Sequence, residues 1–204
     1  MNRIVIVSLF LFALVSTDTF GQSKKQDSSF NRFFIGSSVF MIANALPNPP
    51  SFYQLNVGYW LSPKDVLSLE AITWTYDAPL GIPYGPSHGK EEEKYPGFIR
   101  EHGIALAYQR YLWKKFYAAV HVAPFRQTYR SSEKEVIQKG FQLFMTFRLG
   151  YHFTFLNDRL FLEPSIAMTH WPINTNTPES FAKQDNKWPN RFLPEPGLHF
   201  GVKF

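Results

Sequence analysis

Between Phe141 and Phe155 the chain alternates with little interruption. Phe141, Leu143, Met145, Phe147, Leu149, Tyr151, Phe153 and Phe155 share one parity, while Gln142, Thr146, Arg148, Gly150, His152 and Thr154 share the other. Successive side chains of a strand point to opposite faces, so this segment reads as one long strand with an apolar and a mostly polar face. A soluble sandwich alternates too. Eight large apolar side chains in succession nevertheless outrun the usual soluble strand of about five to six residues. The length suits a strand that crosses a bilayer, lipid on one face and a polar lumen on the other.

The ending Gly197-Leu198-His199-Phe200-Gly201-Val202-Lys203-Phe204 repeats the pattern, with Leu198, Phe200, Val202 and Phe204 on the apolar face. Between these strands, Leu156-Asn157-Asp158-Arg159 predicts a tight turn into Leu160 to Trp171, with Glu163, Ser165, Ala167 and Thr169 inward. Pairing Phe155 with Leu160 sets His152 opposite Glu163 and Thr146 opposite Thr169, which predicts a lumenal His152 to Glu163 hydrogen bond. Pro164 lacks a ladder donor and predicts a local bulge.

Further strands are expected at Phe33 to Ala43, Phe52 to Leu61, Val66 to Tyr76, Phe98 to Trp113 and Phe116 to Tyr129; the last two alternate too weakly to fix their phase. Short turns near residues 63, 114 and 157 alternate with longer connections near 47, 87, 135 and 182, the last two spanning 130–140 and 172–193. The expectation is an all-β fold, an eight-stranded antiparallel up-and-down transmembrane β-barrel over 33–204. Its interior should be filled by side chains rather than open. Glu70, Arg148, His152, Glu163, His199 and Lys203 are expected to form a lumenal polar network, since buried charges need partners.

The amino-terminal segment agrees. Met1-Asn2-Arg3 followed by the apolar run Ile4 to Val15 fits a secretory signal peptide over 1–21, too short for a spanning helix, and 22–32 reads as a short periplasmic tail. The chain has no cysteine, which excludes a cysteine-borne lipid anchor, disulfides and thiol-bound metals. The formal charge is +5, with Lys and Arg scattered rather than gathered on one face, so nucleic acid is not an expected partner. Aromatic residues make up 18% of the chain, well suited to interfacial girdles.

Through its signal segment, strand pattern, loop asymmetry and Phe204 ending, nearly the whole mature chain resembles small eight-stranded outer-membrane barrels. Gln22 and the ending Gly201-Val202-Lys203-Phe204 look like those of the Bacteroidota. The resemblance implies an outer membrane with both mature termini periplasmic, contact with outer-membrane lipid and lipopolysaccharide, and assembly by the barrel-insertion machinery through the last strand. It implies no cofactor.

Function does not follow from a shared fold. Lipid A deacylases resemble the chain in size and carry a His and a Ser two residues apart near the rim, where an imidazole activates a hydroxyl. His170 has a suitable position, but Pro172 stands where the serine belongs. Glu179 and Ser180 are the remaining candidates for carboxylate and hydroxyl. Lipid A palmitoyltransferases share only the architecture, because 23–32 is too polar for their leading amphipathic helix. The histidines at 88, 102, 121, 152, 170 and 199 show no close ligand spacing, and no metal site is expected. The stretch from Trp171 to Trp188, with Asn174 and Asn176, reads as a stiff outward loop able to meet a partner, lipopolysaccharide or a larger envelope complex, or to cap the lumen. A barrel with a structural or interaction role is the leading expectation, a hydrolase centred on His170 the second, and an accessory subunit of an envelope complex the third.

Overall fold

The computed structural model describes residues 32–47, 49–79, 91–187 and 191–204; the expected signal peptide, almost all of the tail, His88 and Trp188 lie outside them. Nine antiparallel strands follow one another: β1 (Phe33–Ser38), β2 (Tyr53–Trp60), β3 (Asp65–Tyr76), β4 (Gly97–Trp113), β5 (Phe116–Ser131), β6 (Val136–Tyr151), β7 (Phe153–Phe155), β8 (Leu160–Thr175) and β9 (Arg191–Lys203). Consecutive strands pair, except that β6 and β7 lie in line and do not pair with each other. β9 pairs with β1, and β8 with both β6 and β7, so the sheet closes into a ring. At the seam Phe33 N donates to Phe204 O at 3.2 Å and Phe204 N to Phe33 O at 3.0 Å.

The count is nine rather than the expected eight because the strand expected over Phe141 to Phe155 breaks at His152. Gly150 faces Ser165 and Phe153 faces Leu162, so the register along β8 runs on unchanged across the break. Lys203 N donates to Arg159 O, so odd-numbered residues of β8 bond β9 and even-numbered ones face β6 and β7. Pro164 is even and falls opposite Tyr151, where its missing N–H interrupts the ladder. The expected bulge is therefore not at Pro164. It lies where Trp171 and Pro172 together oppose Phe144, between the pairs Leu143 with Ile173 and Met145 with His170.

β1 is also shorter than expected. After Ser38 the chain turns into a 3-10 segment over Val39–Ala45, with Ser38 Oγ accepting from Phe40 N. Asn44 then ties this segment to the start of β2, its Nδ2 donating to Phe52 O at 2.5 Å and its Oδ1 accepting from Phe52 N at 2.9 Å. The cause lies across the seam. Even-numbered residues of β9 bond β1, as Phe204 does, and Pro194 and Pro196 are even. Their missing donors fall on the edge facing β1, so that ladder stops at Ser38 opposite His199 while the β8 ladder continues past both prolines.

Other strands run longer than expected: β5 and β6 leave only 132–135 between them, and β8 continues to Thr175. The stretch read as a loop over 172–193 holds a short helix, α1 (Glu179–Asp185). The hairpin turn before β8 keeps Leu156, Asn157 and Asp158 at φ 49°, 54° and 69°. Outward parity carries exposed Leu55, Leu69, Ile104, Leu106, Phe147 and Ile166. Inward parity in β4 and β5 is odd, with Ile99, Ala105, Tyr117, Ala123, Phe125 and Tyr129 buried. No helix among the described residues is long and apolar enough to cross a membrane.

Candidate functional site

The interior is organised in three levels. At the end carrying Phe33 and Phe204 it is filled by Trp60, Val66, Tyr111, Tyr117 and Ala119, with Phe34 packed against them. Here His152 Nδ1 donates to Glu163 Oε1 at 2.7 Å, and Gln109 Nε2 donates to the same oxygen at 3.0 Å. The imidazole stacks on Phe161 at 5.2 Å and meets the edges of Tyr111 and Trp60. Lys203 lies over the Trp60 ring and donates to Asp158 Oδ2 at 3.0 Å. Burial alone would raise the Asp158 carboxyl, but hydrogen bonds from Lys203 and Thr154 and the charges of Lys203 and Lys115 hold it below the ordinary range.

The opposite end is closed by α1. Phe181, fully buried, packs on Tyr95 and Tyr129 with centroids at 4.9 and 5.1 Å. Beneath it the buried Glu101 carboxylate accepts from Trp74 Nε1 at 2.6 Å, Tyr76 Oη at 2.8 Å and Gln127 Nε2 at 2.7 Å. Tyr129 Oη donates to Gln127 Oε1 at 2.8 Å, extending the set. Tyr95 Oη donates to Asp185 Oδ1. Burial raises Asp185 to about 6 despite that bond, and burial with the neighbouring Asp185 charge raises Tyr95 well above its ordinary value.

Between the two filled ends lies a chamber of about 520 Å³. Ile72, Trp74, Phe125 and Phe144 supply apolar wall, and Glu70, His121, Arg148, Glu195 and His199 supply charge and hydrogen-bonding capacity. His121 Nδ1 donates to Glu70 Oε2 at 3.0 Å. Arg148 Nη1 donates to Ser165 Oγ at 2.7 Å, whereas its buried Nε has no hydrogen-bond partner among the described residues. A Cβ at Gly197 would collide with this guanidinium, so glycine there makes room for it.

The chamber reaches the outer surface where the β1-facing edge of β9 has no ladder partner. Val39, Phe40, Ala43 and Phe52 on one side and Pro196 and Leu198 on the other line it, and Phe40, Pro196 and Leu198 are also exposed outside. Every side chain of this rim is apolar.

Of the six residues expected to form one lumenal network, Glu70, Arg148 and His199 do meet around the chamber, while His152 with Glu163 and Lys203 sit at the filled end below it. His152 pairs with Glu163 in the expected register; Glu70 pairs instead with His121; Arg148 bonds Ser165; Lys203 bonds Asp158; His199 lines the chamber. Trp171, expected as a loop contact, is buried inside and stacks on Phe144 at 6.4 Å. Asn174 is exposed on β8, and Asn176 follows it at φ 55° with its carbonyl accepting from Gln138 Nε2 at 2.5 Å. His170 has the outward parity of Ile166 and Met168 rather than the rim position expected, because β8 continues five residues beyond it. Glu179 and Ser180 are exposed in the first turn of α1, and the structure does not bring the three into one hydrogen-bonded set. Among the described residues no group of three or more His, Asp or Glu side chains has metal-binding geometry.

The sequence reading missed Glu101, His121, Glu195 and the cap. Pro178 followed by Glu179 was a legible helix-start signal for α1. Comparison with protein-family models, curated proteins and solved structures gave no match for this chain.

Proposed function

We propose that the chain is a bacterial outer-membrane β-barrel, assembled through its Phe204 strand by the insertion machinery, that acts by binding rather than by conducting. The observation carrying this reading is the combination of a closed ring, an exposed apolar exterior and an interior filled at both ends. Strands of 12 to 17 residues in β3, β4, β5, β6, β8 and β9 are ample for a bilayer, where about nine to eleven suffice. Exposed Phe33, Trp113, Phe153, Phe155 and Phe204 gather at the end where β1 begins and β9 finishes, as an interfacial girdle does. That end is periplasmic in this reading, and the α1 end faces outward, toward lipopolysaccharide or an envelope partner. A hydrolase centred on His170 draws no support from the geometry.

Cell fractionation, vesicle flotation and planar-bilayer recording test the reading. An outer-membrane fraction, a folded band that shifts on heating and the absence of steady conductance are expected. A water-soluble, vesicle-free product or a stable open channel would overturn it.

A further inference from the structure

We propose that the chamber holds a single-chain amphiphile with a neutral or zwitterionic hydrogen-bonding head, admitted sideways through the gap between the upper edge of β9 and the Val39–Ala45 segment. The inference rests on the reading of the outer surface as lipid-facing.

The gap is built into the chain. Pro194 and Pro196 remove donors from the one edge of β9 that would recruit β1, leaving the β8 ladder in place. Asn44 satisfies Phe52 in the manner of a strand partner and so ties the 3-10 segment to the start of β2, while the segment lies beside β9 without ladder pairing to it. An unpaired strand edge in hydrocarbon is costly, and the prolines lower that cost by deleting the exposed N–H groups. The opening is consistent with a bilayer setting.

Its rim is wholly apolar, which suits a solute arriving from lipid. Within, the groups are mixed. Glu70 and Glu195 offer acceptors, Arg148 offers an unpaired Nε–H, and His121 is held through Nδ1. With Glu70 already engaged by His121, the Glu195 carboxyl and the Arg148 Nε–H together favour a head that both donates and accepts over a bare carboxylate, which can only accept. The aromatic and aliphatic wall of Ile72, Trp74, Phe125 and Phe144 suits one acyl chain. A volume of about 520 Å³ lies in the range of sites for one small ligand, with room for one chain rather than two.

The test uses the full mature chain reconstituted in diacyl phosphatidylcholine vesicles, floated, then titrated with a monoacylglycerol, a lysophosphatidylethanolamine or a fatty acid and read by native mass spectrometry. A saturable one-to-one adduct with either of the first two is expected, at least tenfold favoured over the fatty acid and over the diacyl lipid. Ala123→Phe, which fills the chamber, and Ala43→Trp, which narrows the rim, should each reduce the adduct at least fivefold; the outward Leu106→Phe should leave it unchanged. The heat-dependent gel shift verifies folding of each variant. Folded, vesicle-inserted protein with no adduct, equal uptake of the fatty acid, or adducts unaffected by both variants would overturn the proposal alone. Failure to float with vesicles would overturn the lipid-facing reading and the sideways route with it.

Discussion

His152 and Glu163 meet across the interior at 2.7 Å, framed by the rings of Trp60, Tyr111 and Phe161. The imidazole is 4% exposed, and its Nε2 has no hydrogen-bond partner among the described residues, so Glu163 carries its orientation. Removing one member of a buried pair strands the other.

Glu163→Ala should therefore lower the unfolding free energy by about 3 kcal/mol, measured by urea titration in vesicles. The double variant His152→Phe with Glu163→Met should recover most of the loss, since apolar replacements of similar volume need no partner. Equal losses in the single and double variants would argue against a coupled pair.

Pro164 should be improvable. Pro164→Val restores the N–H facing Tyr151 and allows β6 and β7 to run together past His152. A gain of about 1 kcal/mol is expected for the added ladder bond. The new residue 164 amide should exchange slowly with deuterium; rapid exchange there would show that the break has another cause.

The cap should respond to pH through Asp185. Its carboxyl stands at about 6 when α1 is docked, against an ordinary value of 3.8. The docked state thus binds protons more readily, so docking strengthens as pH falls from about 6 to about 4 and stays constant at its weakest above about 6. Tyr95, raised by burial, stays protonated and donating throughout, and Tyr129 and Glu101 face the same region. Amide exchange of 179–187, corrected for its intrinsic pH dependence, should be slower at pH 5 than at pH 7, and Asp185→Asn should remove the difference.

Phe181→Ala should release α1 while sparing the ring. A fully buried phenyl contributes about 3 to 5 kcal/mol, more than a single short helix can lose and remain docked. Protease cleavage near 179–187 should rise sharply with the gel-shifted folded band retained. Loss of the folded band would place Phe181 in the ring's own stability.

The legible parts of the fold were those where the two faces of a strand differ in polarity. From Phe141 to Phe155 and from Gly197 to Phe204 that contrast is strong, and parity and hairpin register followed from it, down to the His152 and Glu163 pair. In β4 and β5 the inward set is itself apolar, from Ile99 and Ala105 to Phe125 and Tyr129, so the contrast fades and the phase was hidden. Val39 to Ala43 continues an apolar pattern, and its departure from the ladder is caused by prolines near the far end of the chain. The chamber was illegible for a related reason: Glu70 with His121, and Arg148 with Ser165, are joined by ring closure rather than by spacing along the sequence.

The seam between β1 and β9 is short, running from Phe34 opposite Lys203 to Ser38 opposite His199. It also joins segments more distant in sequence than those of any other strand pair in the ring. The longest loop closure therefore has one of the smallest returns in ladder bonds. Assembly should reach a nearly complete curved sheet first and zip this pairing last, upward from the termini. The same prolines that hold the wall ajar thus set where the zip must stop.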